Sequence, residues 1–141
     1  MNTILLAALA AWVMAQTVKV LFGFIRYGRD GRSRVIWRII WAGGMPSVHS
    51  SVITSVAITI LHSTGFESAI FGLAAVMSLI VIYDRGRMHS IYNTFQKRYP
   101  VFAAEIQRDP VLKDLVGHRP AEIIAGVIIG ATSSLLISFI Y

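Results

Sequence analysis

Two histidines lie beside helix starts in an otherwise apolar chain, and their neighbours are of types that handle anions. Residues 43–51 read Gly-Gly-Met-Pro-Ser-Val-His-Ser-Ser. Two glycines and a proline make a turn, and an apolar helix follows. A helix start leaves free amide N–H groups and a positive dipole end, which together bind anions. Ser47 and His49 would stand at that mouth; the plainer alternative is a serine N-cap with a bystander histidine. Residues 117–122 read Gly-His-Arg-Pro-Ala-Glu. Pro120 suits the first helical position, which puts Glu122 near the third, where a carboxylate reaches back toward the preceding residues. Glu122 can then accept a proton from one ring nitrogen of His118 and leave the other as a nucleophile. The alternative is a capping glutamate beside an interfacial histidine. The spacing of His118 and Glu122 also suits metal ligands, but no complete ligand set accompanies them, so no metal site is expected.

Two further groups carry positive charge. Lys19 and Arg26 are seven residues apart, about two helical turns, and share a face if the helix continues; Gln16 lies one turn before Lys19. Two cations on one face suit a phosphate, although a lysine at a membrane edge also simply snorkels. Residues 83–89, Tyr-Asp-Arg-Gly-Arg-Met-His, form a basic turn at the end of an apolar run. Such a turn anchors a helix at the interface or sends an arginine to an anion held by the other groups. His62 falls at the opposite end of its helix from His49 and is assigned to the outer interface. Two histidines, a carboxylate, cations and two helix starts together fit phosphoryl transfer through a histidine.

The elements that must position these groups are membrane helices. Apolar residues make up 55% of the 141 and charged ones only 14%, against about a quarter charged in a soluble domain. There is too little polar surface to clothe a water-soluble globule. Apolar runs cover residues 3–25, 47–62, 68–83 and 121–141, and in lipid such runs satisfy their own backbone as helices. The expected fold is therefore an all-α, single-domain bundle of four transmembrane helices over residues 1–141. Short amphipathic helices are expected in the two intervening basic segments: 33–41 in the first, 90–98 and 101–116 in the second. Gly126 and Gly130 give the last helix a GxxxG spacing, which permits close helix contact. The first run lacks a positive residue ahead of it and is not read as a signal peptide. There is no cysteine, hence no disulfide framework.

The charge distribution assigns a side. Lys19 and five arginines fall within residues 19–38, and the remaining seven basic residues fall within 85–119. With four helices both segments share one face of the membrane, and the positive-inside rule makes it cytoplasmic, with both termini outside. The net charge of +6 is thus a membrane-side feature, and nucleic acid is not expected as a partner.

The motif Gly44-Met45-Pro46-Ser47-Val48-His49-Ser50, the motif Gly117-His118-Arg119-Pro120-Ala121-Glu122 and the glycine-bearing last helix resemble the divergent branch of the type-2 phosphatidic acid phosphatase superfamily. That superfamily is related to acid phosphatases and vanadium-dependent haloperoxidases. The resemblance covers nearly the whole chain. The superfamily's first motif is Lys, six residues, Arg-Pro; Lys19 and Arg26 keep the spacing, and Tyr27 replaces the proline. Its second is Pro-Ser-Gly-His, here with Val48 for glycine. Its third ends in His, three residues, Asp, here with Glu122 for Asp. The arginine six residues before that histidine is replaced by Leu112.

The resemblance implies a lipid-phosphate phosphatase in a bacterial-type cytoplasmic membrane, its site facing the cytoplasm. His118 would be the nucleophile, His49 the proton donor and Glu122 the residue orienting His118. Lys19, Arg26, Ser47 and an arginine would hold the phosphate oxygens. Arg87 is the first candidate for that arginine; Arg85, Lys113 and Arg119 are alternatives. Phosphatidylglycerol phosphate, phosphatidate and polyprenyl phosphates or diphosphates are the expected substrates, vanadate would mimic phosphate, and no cofactor is expected. Two rivals remain: a lipid-phosphate binding or flipping protein that has lost turnover, and a scaffold or transporter that forms a homodimer through the GxxxG face.

Overall fold

The computed structural model describes residues 2–27, 44–108 and 116–140, leaving aside the side chains at 24, 26, 27 and 107. Five helices and no strand occur among the described residues: α1 Thr3–Tyr27, α2 Val48–Thr64, α3 Ala69–Arg98, α4 Pro100–Arg108 and α5 Pro120–Ile140. The helix expected over 33–41 lies outside the described residues.

Local chemistry sets most of the ends. Ser47 caps α2 and Ser68 caps α3, each side-chain oxygen accepting from an amide three residues on. α2 stops at Gly65, whose φ of 81° lies in the region where a residue without Cβ carries no steric penalty. α3 stops at Tyr99, because the residue before a proline avoids the helical region, and Pro100 opens α4.

The expected break at 83–89 does not occur. α3 runs through it for 30 residues, so 90–98 is the continuation of α3 and not a separate amphipathic helix. This segment holds no proline, and its one helix-weakening residue, Gly86, costs only about 1 kcal/mol. The expected helix over 101–116 is observed as Pro100–Arg108; residues 109–115 lie outside the described ones.

Among the described residues three helices are long and apolar enough to cross a membrane: α1 over Thr3–Gly23, α3 and α5. The second run forms α2, of 17 residues, about 25 Å long against a hydrocarbon core of about 30 Å. α2 is the hub of the bundle and packs against α1, α3 and α5. Its buried residues include Ser50, Ser51, Thr54, Ser55 and Thr59, while large apolar side chains such as Leu9, Leu79 and Ile128 point outward from its three neighbours.

Small residues let these helices approach closely. Ala7, Ala11 and Ala15 form a fully buried row on α1. Ser55 and Ser133 both donate to the Ala7 carbonyl, at 3.0 and 3.1 Å, and Ser51 donates to that of Ala11. Thr59 and Ser134 share a hydrogen bond at 2.8 Å. Such interhelical bonds in a membrane contribute about 0.6 kcal/mol each. The GxxxG face packs inside the chain: a Cβ on Gly126 would collide with the Ser47 carbonyl oxygen, and one on Gly130 with that of Ser51. That face is therefore occupied by α2 within the chain. These contacts make α1 antiparallel to α2 and α5 parallel to it, so the starts of α2 and α5 meet at one end of the bundle.

Candidate functional site

At that end the two helix starts are joined backbone to backbone. The Ser47 amide donates to the Glu122 carbonyl oxygen at 2.9 Å, and Ser47 is fully buried. Its hydroxyl accepts from the Ser50 amide at 3.3 Å and from the Ser50 hydroxyl at 2.9 Å. His49 follows on the first turn of α2 and is exposed.

His118 is held by its neighbour in the chain. Gly117 has a φ of 88°, and a Cβ there would lie 2.6 Å from the His89 amide nitrogen and 3.1 Å from the Arg85 carbonyl oxygen. Only glycine lets the segment press onto the backbone of α3. The His118 amide then donates to the Arg85 carbonyl oxygen at 3.2 Å. The imidazole is 3% exposed, and neither ring nitrogen has a hydrogen-bond partner among the described residues. Buried polar atoms are normally satisfied, so this ring has unused hydrogen-bonding capacity that none of the described residues takes up.

Cations surround it. Lys19 continues the alanine row of α1 by one more step of four residues and is 2% exposed. Burial pushes the His118 imidazole from the ordinary 6.5 down to about 4, and the positive charges of Lys19, His49, Arg85 and His89 push the same way. The ring is therefore neutral, the form that can act as a nucleophile, throughout the physiological range. The bundle thus brings Lys19, Ser47, His49 and His118 to one end. Arg26 lies in the last turn of α1, but its side chain is outside the described residues, and so is Lys113.

Two expectations come out differently. The Glu122 carboxylate accepts from the Arg119 amide at 3.1 Å, half of a capping box, and the expected bond from the His118 ring to it is not formed. Arg87 points away from the histidines: it donates to the Tyr83 hydroxyl at 2.7 Å and lies over that ring. It lines an outer groove of about 790 Å³ between α3 and Pro120, which none of Lys19, Ser47, His49 or His118 lines. Among the described side chains, Arg85 is the arginine whose charge acts on both histidines. The charges of Arg85 and His89 both act on His118, and sequence reasoning assigned neither a face because 83–89 was read as a turn. Read as helix, their four-residue spacing puts them on one side of α3. Among the described residues no group of three or more His, Asp or Glu side chains is placed to hold a metal ion.

The family model described as the divergent PAP2 family matches residues 1–133. The chain is 28% identical to the uncharacterized membrane protein YuiD of Bacillus subtilis (strain 168), over 99% of this chain and 96% of that one. No solved structure matches. With the paired helix starts, the buried histidine and the membrane helices in place, the chain belongs to the divergent PAP2 family.

Proposed function

We propose that this integral membrane protein is a phosphatase acting on a lipid phosphate. The observation that carries the proposal is His118: a neutral, almost fully buried imidazole whose nitrogens have no hydrogen-bond partner among the described residues, set at the paired starts of α2 and α5 and within reach of the Lys19 charge. A phosphate entering there meets helix-end N–H groups and cations that offset its charge. A ring nitrogen of His118 attacks phosphorus as the bond from phosphorus to the lipid oxygen breaks. Protonated His49 gives its proton to the departing oxygen. Water then attacks the phosphohistidine, His49 takes the water's proton, and the nitrogen–phosphorus bond breaks to release inorganic phosphate. Lys19, Arg26 and Ser47 hold the phosphate oxygens. Glu122 joins the reaction by leaving the Arg119 amide for the His118 ring. Vanadate would occupy the same place as a phosphate mimic.

The site is assigned to the cytoplasmic face, with both termini outside and α2 crossing as a fourth helix in the shelter of the other three. The location of every Lys and Arg in residues 19–38 and 85–119 supports that orientation. Lipids phosphorylated on that face, such as phosphatidylglycerol phosphate, phosphatidate or polyprenyl phosphates, are the substrate class. The engagement of Glu122 as a cap favours a second reading, a lipid-phosphate binding or flipping protein without turnover. Phosphate release measured over a panel of these lipids, for wild type and His118→Ala, separates the two. Release that depends on His118 supports the phosphatase; binding without release supports the other.

A further inference from the structure

We infer that α3 supplies the third wall of the anion site, with the Arg85 guanidinium contacting the phosphate oxygens directly. The inference rests on the anion-site reading above. α1 contributes Lys19, and α2 and α5 contribute their N-terminal ends. α3 reaches the same level from the other side, because the His118 amide is bonded to the Arg85 carbonyl at 3.2 Å and Gly117 is pressed against the backbone at Arg85 and His89. Arg85 is half-buried, its carbonyl accepts from the His118 amide, and its charge acts on both His49 and His118, which puts the guanidinium within electrostatic reach of both rings. Among the described residues no carboxylate forms an ion pair with it. Arg87, two residues on, is turned to Tyr83. His89 lies one turn beyond Arg85 on the same side and is half-buried too; it adds a second nitrogen donor to the wall. Arginine suits the place because its planar fork matches two phosphate oxygens at once, which a lysine cannot do.

The ligand chemistry is a terminal phosphate group, carried as a monoester by a lipid headgroup or present as free inorganic phosphate. The experiment titrates the purified full chain in detergent with inorganic phosphate, with a short-chain phosphatidate, and with a short-chain phosphatidylcholine as the diester control. Wild type should bind the first two. Arg85→Gln should weaken both about tenfold or more, and Arg85→Lys should lose less. Arg98→Gln, thirteen residues further along α3 and about 20 Å away, should change neither by more than about twofold. A loss confined to phosphatidate would assign Arg85 to the lipid headgroup alone and overturn direct contact with the phosphate that is released. Arg85→Gln binding as wild type does, with an unchanged melting temperature, overturns the inference and leaves the anion site standing; so does a loss at Arg87→Gln without one at Arg85. If Arg85→Gln fails to fold, Arg85→Lys decides: unaltered binding of both ligands by folded protein overturns the two-pronged contact. Wild type binding neither inorganic phosphate nor phosphatidate removes the anion site itself, and the role of Arg85 with it.

Discussion

The Ser47 amide donates to the Glu122 carbonyl oxygen at 2.9 Å, so the starts of α2 and α5 are held side by side. Two chain segments 75 residues apart thereby bring their helix starts to the same end of the bundle. The glycines of α5 make this approach feasible, since Gly126 lies against the Ser47 carbonyl and Gly130 against that of Ser51.

Filling this contact should destabilise the bundle. Gly130→Ala is expected to lower stability by about 1–3 kcal/mol, because the methyl group meets backbone that cannot swing aside. Gly72→Ala is the control: a Cβ there meets nothing within 4 Å, and alanine in a helix is favoured over glycine by about 1 kcal/mol. Thermal denaturation in detergent reads both. If Gly130→Ala instead left stability intact and changed the oligomeric state, the glycine face would be an intermolecular one.

Single-cysteine labelling tests the topology without background, because the chain contains no cysteine. Cysteines at Asn2 and Glu67 should react with a membrane-impermeant reagent added outside intact cells, and one at Ser90 only after permeabilisation. Labelling of Ser90 from outside would reverse the assigned orientation.

The apolar runs were legible because lipid admits few alternatives to helix, and Ser47 and Ser68 stood at two of their starts. The identities of His49, His118 and Lys19 as one cluster were also legible, from helix starts and charge placed on one side. The course of α3 was not. Asp84, Arg85, Gly86 and Arg87 look like an interfacial turn by composition, yet nothing in them stops a helix once Gly117 and Ile123 pack alongside, and that contact is tertiary. The buried face of α2 was hidden for a similar reason. Ser51 and Ser55 look like weak spots in a membrane helix until the carbonyls of Ala11 and Ala7 are there to receive them.

Acidification should act through His118. Its folded value is lowered from 6.5 to about 4, so between those values the unfolded chain binds a proton that the folded one refuses. Stability therefore rises with pH across that window and is lost as pH falls from about 6.5 to about 4, by up to about 3 kcal/mol. The melting temperature of wild type should fall more steeply over this range than that of His118→Asn, which cannot take up the proton. Parallel curves for the two proteins would mean that the ring is not held neutral.

Glu122 is where cap and chemistry can be separated. In the structure its carboxylate accepts from the Arg119 amide at 3.1 Å and does not meet the His118 ring. Glu122→Gln keeps an acceptor oxygen for that amide, so a purely capping role predicts a stability loss well under about 1 kcal/mol and unchanged turnover per folded molecule. The catalytic role predicts something else. An amide cannot stabilise the positive imidazole that forms on phosphorylation, and in triads the corresponding change costs a factor on the order of 10⁴ in rate. Glu122→Gln should then fold, bind inorganic phosphate nearly as wild type does, and release phosphate from lipid at least about a hundredfold more slowly. His118→Ala should abolish release, since it removes the nucleophile, and acid-labile phosphate trapped by rapid quench should appear on wild type and be absent from His118→Ala. His49→Ala should be less harmful with substrates whose leaving groups need little protonation. Full turnover by Glu122→Gln would confine the carboxylate to the helix cap, where it already stands, and would leave His118 to be activated by its burial and its ring of cations alone.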